Sequence, residues 1–494
     1  MGNPPWIAFR FMEPEYQKFL KNQIKEEYKL LIGRGELITH LEIATLFLVR
    51  TADLYLKENG TIAFVLPRSP FTSDQHDGLR KRTFNFIEDV GYNLFWREIW
   101  DCEGVSPLFK VPTCVLIADK REIAKMTYPV TGKILKGKLE KKNASLEESE
   151  ELLTIEDVEF SLHERGKRSF WGTEKNIVMN AKSYYRSRFF QGASIVPRSF
   201  WFVQVKPSPL GLNPDLPLLE TADRAMEQAK DAYKSVSLKD TVESKFLYAT
   251  LLSTDLVPFG YLDYRLVVLP IEAKENHYKL FHAKEARDRG FLHLARWLDK
   301  VEEEWTKRRG SKAERLTSLD WLNYQNKLTN QNPKTKYRVI YNTSGTFLTS
   351  AVVENEPIRF KIDGQEIKAE GFLMDTKTYY METFDSGEAY YLDVILNAPE
   401  INTLIKPMQS RGLWGPRDIH KKVLDLPIPK FDDKNTIHLQ LTKMGEGCHV
   451  KVKQWLADGG AGNIKSIGKL RSMARNMLKD ELSEIDVLVK QILE

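Results

Sequence analysis

The sequence predicts an α/β chain: the trailing strands of an open sheet, followed by an α+β region. Two observations predict it. Strand, helix, strand and strand follow one another within the first 120 residues, and beyond residue 336 the pattern changes to short apolar runs separated by turns. Residues 13–57 read as mostly helical. Leu41, Thr45, Leu48, Ala52 and Tyr55 recur at helical spacing, and Lys57-Glu58-Asn59-Gly60 is a stop signal. Thr61 to Pro67 is a short apolar run, predicted as a buried strand closed by proline. Asp74 to Phe86 is predicted as a helix, and Asn93–Trp100 and Pro112–Ala118 as two further strands.

Residues 119–152 are charged, basic first and acidic after, and read as a surface crossing between domains. Residues 153–330 mix short strands with charged helices, the clearest over Lys284–Arg308. From 336 the runs at Val339, Phe347, Tyr379 and Tyr390–Leu396 predict a β-rich domain, and Ser466–Leu493 a closing helix. The expected divisions are 1–125, 126–335 and 336–494.

Composition narrows the class. The chain has 494 residues, 42% hydrophobic and 29% charged, which is ordinary for a globular protein. No run of about 20 apolar residues spans a membrane. The opening residues carry no basic region followed by an apolar stretch, so the expected location is the cytoplasm. Cys102, Cys114 and Cys448 lie far apart with no CxxC, which argues against a zinc site or a disulfide framework. Lys plus Arg is 73 against 68 Asp plus Glu, a net charge of +5 that decides nothing about nucleic acid by itself.

The chemistry concentrates in Asn3-Pro4-Pro5-Trp6. An amino group on a base is a poor nucleophile because its lone pair is delocalised. Two fixed acceptors aimed at its hydrogens favour the transition state, where the nitrogen becomes tetrahedral and positive. The Asn3 side-chain oxygen and the Pro4 carbonyl can be that pair. Two prolines stiffen the backbone and push Asn3 to an extended conformation. Trp6 offers a face for the base, and stacking is worth about 1–3 kcal/mol per base.

This motif resembles that of the DNA amino-methyltransferases, with Asn in first place as in the N6-adenine enzymes. The text from Trp6 to Gln17, residues 40–69 and Leu79-Arg80 is similar to the large adenine methyltransferases of type II and type IIG restriction–modification systems. Such motifs also occur in enzymes that methylate protein glutamine or ribosomal RNA. The resemblance implies a partial Rossmann-like methyltransferase sheet, trailing strands only, and an α+β target-recognition region. It implies transfer of a methyl group from S-adenosylmethionine to a flipped adenine in double-stranded DNA. It makes Phe109, just before the strand that closes the sheet, the second stacking residue for the flipped base.

The family's Gly-rich cofactor loop lies upstream of its motif. Gly33-Arg34-Gly35 and Asp458–Asn463 read as turns, so the S-adenosylmethionine pocket is expected to be incomplete here. An N-terminal methyltransferase half or subunit is the partner that implies. A catalytically silent DNA-binding remnant or specificity subunit is the alternative. Stretches 338–348, 379–385, 388–397, 409–420 and 426–429 resemble the family's target-recognition region. There Arg411, Arg417, His420, Lys421 and Lys422 cluster beside glycines and are the DNA-binding candidates. A second cluster, from Arg165 to Arg188, interleaves basic residues with Phe170, Trp171, Tyr184, Tyr185, Phe189 and Phe190; it suits a strand-tracking surface or a half-buried domain face equally. Asp263 with Glu272-Ala273-Lys274 mimics a metal-nuclease carboxylate set, but no second motif joins it.

Overall fold

The computed structural model describes the chain apart from residues 32–34, 166–167, 174–182, 207–210, 228, 363, 410, 413–414, 417, 463, 465 and 494, and describes the backbone alone at 36, 165, 312, 411, 412, 415 and 416. Two compact units form. The first is Met1–Ala181 with Thr403–Asp418; the second is Lys182–Asn402 with Ile419–Glu494. Neither sequence-based boundary, at 125 or 335, coincides with these divisions.

The first unit is a mixed sheet with helices against it. Its strands are β1 (Thr61–Pro67), β2 (Tyr92–Ser106), β3 (Thr113–Glu122), β4 (Val130–Lys138), β5 (Leu153–Arg165) and β6 (Arg168–Gly172), in the spatial order β1-β3-β2-β4-β5-β6. Only β2 and β4 run parallel; the other neighbours are antiparallel. The three predicted strands are present as β1, β2 and β3. The supposed crossing at 119–152 is not one: it completes β3 and supplies β4 and a short helix, Leu146–Leu152. Its Lys133 lies across from Asp157 on β5, and Lys136, paired with Thr154, reaches diagonally to Glu156 at 3.2 Å, so its charges pair across strands.

The long predicted helix at 13–57 is divided into α1 (Pro14–Asn22), a π turn at Gln23–Glu27, a 3-10 helix at Gly35–His40, and α2 (Ile43–Tyr55). The predicted helix at 74–86 is only Asp77–Lys81, stopped by Arg82 in the left-handed region. Leu48, Val49 and Ala52 of α2 are fully buried in one core with Ile99 and Leu116 of the sheet. Beneath them Lys120, 1% exposed, donates to the carbonyls of Ala52, Asp53 and Leu56 at 2.8–3.1 Å and pairs with Asp89. The Asp53 carboxylate accepts from the backbone N–H groups of Ile87, Glu88 and Asp89 and from the Tyr28 hydroxyl. One buried cation thus closes the C-terminal end of α2, where orphan carbonyls collect.

The described residues of the second unit include a four-stranded sheet, two three-stranded sheets, three two-stranded ribbons and a helical C-terminal part. Strands β7 (Phe190–Gln191), β8 (Leu247–Leu251), β9 (Arg265–Val268), β10 (Tyr337–Asn342), β11 (Ser350–Glu354), β12 (Phe372–Met374) and β13 (Thr378–Thr383) form the four-stranded sheet, in the order β11-β10-β13-β7, and one of the three-stranded sheets, in the order β9-β8-β12. Its principal helices are α3 (Leu292–Arg308), α4 (Ser386–Asn397), α5 (Thr436–Ala457), α6 (Ile467–Met477) and α7 (Lys479–Leu493). The strands end at Thr383, so the predicted β-rich domain is half helical. Tyr390–Leu396, read as an extended run, lies inside α4, whose first turn Asp385 caps through Gly387 and Glu388. The helix predicted at 284–308 is broken at Gly290, in the left-handed region at φ 82°. No helix among the described residues is long and apolar enough to cross a membrane.

Replacing Lys120 by Met removes the donor to three carbonyls and leaves Asp89 unpaired. The expected loss is about 3 kcal/mol of stability, the cost of breaking a buried charge interaction, read as a lower urea midpoint at unchanged slope.

Candidate functional site

The tetrapeptide Asn3–Trp6 is held against the end of β1 from two sides. Gly2 forms a parallel bridge to Phe64: its N–H donates to Ala63 O at 2.8 Å, and its carbonyl accepts from Val65 N at 2.9 Å. A Cβ on Gly2 would stand 2.6 Å from the Phe64 ring, so glycine permits the approach. After the motif, Ile7 to Phe9 run antiparallel to Leu41–Ile43 through bonds of 2.9 Å. That second anchor is braced by His76, 1% exposed, which bridges Glu42 at 2.8 Å and Thr45 at 3.1 Å. Burial opposes ionisation of Glu42, but His76 outweighs it and holds the carboxyl below its ordinary range.

Within the motif, Pro4 is buried while Asn3 and Pro5 are exposed. The Trp6 indole N–H donates to Val65 O at 3.2 Å, which fixes the ring at the strand end. Phe109 comes from the segment leading into β3. Its ring centroid lies 4.7 Å from that of Trp6, at an interplanar angle of 53°, and the residue is 41% exposed. Residues more than 100 positions apart are brought together: Asn3, Pro4, Trp6 and Phe109 share one edge of the sheet. The two rings touch each other in this structure, and a base between them requires them to part.

Beside them, Arg68 follows β1 and grips Asp101 through Nε and Nη2 at 2.6–2.9 Å. Burial disfavours the Arg68 charge, but Asp101 and Glu103 more than restore it. A cavity of about 410 Å³ lies there, lined by Arg68, Asp101, Glu103, Phe160, Trp171 and Pro407.

The DNA-binding candidates are divided between the two units. Arg411 belongs to the first, in a short ladder of Arg411–Gly412 with Gly415–Pro416. Arg417 lies outside the described residues. His420 is exposed in the second unit at φ 41°, its N–H on Thr343 O and its carbonyl accepting from Tyr341. Lys421 is half-buried over the Tyr379 ring at 5.8 Å; burial and the Arg186 charge lower its pKa. Lys422 is 2% exposed, so it stands apart from the surface pair.

In the second basic cluster, Phe170, Trp171, Tyr185 and Phe189 are core residues, and Arg168, Arg186 and Arg188 are salted to Asp74, Asp425 and Glu388. Arg168, Phe170 and Trp171 fall in the first unit and Tyr184 to Phe190 in the second, where Tyr184 and Phe190 are exposed; Lys167, Lys175 and Lys182 lie outside the described residues. Glu272 is bound by Lys274 at 2.6 Å, and no metal-holding group of carboxylates, histidines or cysteines occurs among the described residues.

No family model and no curated protein matches this sequence. Among solved structures, the chain is similar to the Type IIL restriction-modification enzyme MmeI in complex with DNA. The TM-score is 0.54 at 12% identity, over 99% of this chain and 53% of that one. The ATP-dependent Type ISP restriction-modification enzyme LlaBIII bound to DNA is matched at TM-score 0.42 and 9% identity, over 91% of this chain and 29% of that one. The chain therefore shares a fold with part of MmeI and spans about half its length.

Burial pushes the Cys102 and Cys448 thiols up to about 12 and Cys114 well above its ordinary value. At pH 8 a thiol with pKa near 12 is ionised in roughly one molecule in 10⁴. All three are expected to resist a thiol-disulfide reagent in the native chain and to react in urea. Rapid native labelling of one would reveal an accessible thiolate.

Proposed function

We propose that this chain is the catalytic-edge and target-recognition portion of a site-specific DNA adenine-N6 methyltransferase of a restriction–modification system. The observation that carries the reading is the pairing of Trp6 with Phe109 beside the rigid Asn3–Pro4 backbone, at a sheet edge. Asn3 Oδ1 and the Pro4 carbonyl accept from the two hydrogens of the adenine amine. S-adenosylmethionine would supply the methyl group there and leave as S-adenosylhomocysteine, and the proton that N6 gives up would pass to water. Trp6 and Phe109 sandwich the flipped base, which offsets its unstacking cost of a few kcal/mol. The fold shared with MmeI supports the setting; the chemistry rests on the residues.

The methyl donor is held by a further polypeptide segment beside β1. Strand alternation turns the backbone of Thr61, Ala63 and Val65 away from β3. Gly2 and the Trp6 indole occupy Ala63 O, Val65 N and Val65 O, while no hydrogen bond to Ala63 N or Thr61 O is found among the described residues. That edge suits a strand added parallel to β1. The methyltransferase half named by the sequence resemblance fits this place, in the same polypeptide or as a subunit. Duplex DNA binds the second unit, with His420 and Lys421 as contacts. The rival reading, a silent DNA-binding subunit, keeps the second unit and loses the reaction.

Asn3→Ala in the complete enzyme is expected to abolish methyl transfer to duplex while leaving duplex affinity within about twofold, since it removes an interaction made in the transition state. Equal losses of rate and affinity would reject the role given to Asn3. Calorimetric titration of this chain alone with S-adenosylmethionine is expected to show no heat up to millimolar concentration. Binding would mean that the chain builds the pocket itself.

A further inference from the structure

The loop from Thr343 to Thr349 joins β10 to β11 and is clamped from inside. Asn342 Nδ2 donates to Ser344 O at 2.9 Å and Phe347 O at 3.0 Å, and Asn342 Oδ1 accepts from Thr349 N. Two arginines one helical turn apart on α6 reach the same loop. Arg471, 7% exposed, donates through Nε to Leu256 O at 2.9 Å and bonds Ser253 O through Nη2. Its remaining nitrogen, Nη1, would stand 3.4 Å from a Cβ placed on Gly345 and has no hydrogen bond among the described residues. Arg475 donates through Nη2 to Leu348 O at 2.9 Å and lies over the Phe347 ring at 5.2 Å, and its buried Nε has no partner among the described residues.

Both guanidiniums are therefore bonded to neutral carbonyls only. Burial, and for Arg471 the neighbouring Arg475 charge, pull each down to about 10; Asp486 offsets part of this for Arg475. Two adjacent buried cations without a hydrogen-bonded counter-charge are costly, and free donors on both are what an oxyanion satisfies. Ser344 and Thr346, at the loop apex, are exposed and leave the approach open.

We propose that Arg471, Arg475 and the Ser344–Phe347 loop form a phosphate-binding site. Its occupant is a phosphodiester of the duplex backbone, which rests on the DNA reading above, or free phosphate.

Thr346→Glu tests it without touching a buried group, with Thr346→Gln as the neutral control. One arm is anisotropy of a labelled duplex with the full chain across a salt series. Thr346→Glu is expected to weaken binding about tenfold and lower the salt slope by about one, equally for unrelated sequences, while Thr346→Gln matches wild type. The other arm is the thermal midpoint in inorganic phosphate against chloride at equal ionic strength, where wild type and Thr346→Gln rise and Thr346→Glu does not. A response in the phosphate arm alone assigns the site to free phosphate. No charge-dependent difference in either arm overturns the site. Wild type that binds no duplex defeats the DNA reading, and the phosphate arm still decides this one.

Discussion

Seven consecutive pairs, from Thr61 opposite Asp119 to Pro67 opposite Thr113, set the register of β1 on β3. The candidate site is built on that register. Val65, near the end of the run, accepts the Trp6 indole and donates to the Gly2 carbonyl, and Ala63 accepts the Gly2 N–H. Thr113, at the end, fixes where the Phe109 segment enters, and Arg68 N–H donates to Pro112 O at 2.8 Å to lock the corner. A slip of one residue would turn Ile62, Phe64 and Leu66 out of the core and carry the Trp6 anchor away from Phe109. Core burial in the strand thus specifies the spacing of two aromatic rings that belong to neither strand.

The segments around this corner are tied down by cations that are themselves buried. Arg80, with no exposed surface, donates to Pro70 O at 2.6 Å, Ser73 O at 3.0 Å and Ser169 Oγ at 3.0 Å. It gathers the turns after β1 onto β6. Arg68 does the same for the β1 exit and the middle of β2 through Asp101. Lys120 secures the far end of α2. Each is a long side chain whose donors reach several main-chain groups at once, so turns that lack an extensive ladder acquire a defined position.

What was legible in the sequence was local. The Pro-Pro dipeptide, the apolar run at 61–67 and the positions of Trp6 and Phe109 relative to strands need only nearest-neighbour reasoning. β4 escapes it because Lys133, Lys136 and Lys138 make the segment resemble a charged loop until β5 lies beside it. α4 resembles an extended run because Tyr391 to Asn397 are all buried; with no exposed polar face, helical periodicity vanishes. Arg471 and Arg475 gave no signal at all. Their partners lie 215 and 127 residues away, and only folding brings those carbonyls to the guanidiniums.

The segment Thr403–Asp418 belongs to the first unit although the chain on both sides of it belongs to the second. Thr72 Oγ1 donates to Gln409 O at 3.1 Å, a bond within that unit between residues 337 positions apart. The polypeptide consequently passes from one unit to the other three times, near 181, 402 and 418. No single cut separates them, and a chimaera that exchanged everything after residue 181 would import a foreign strip into the first unit. A graft that respects this architecture has three junctions and retains residues 403–418 from the recipient.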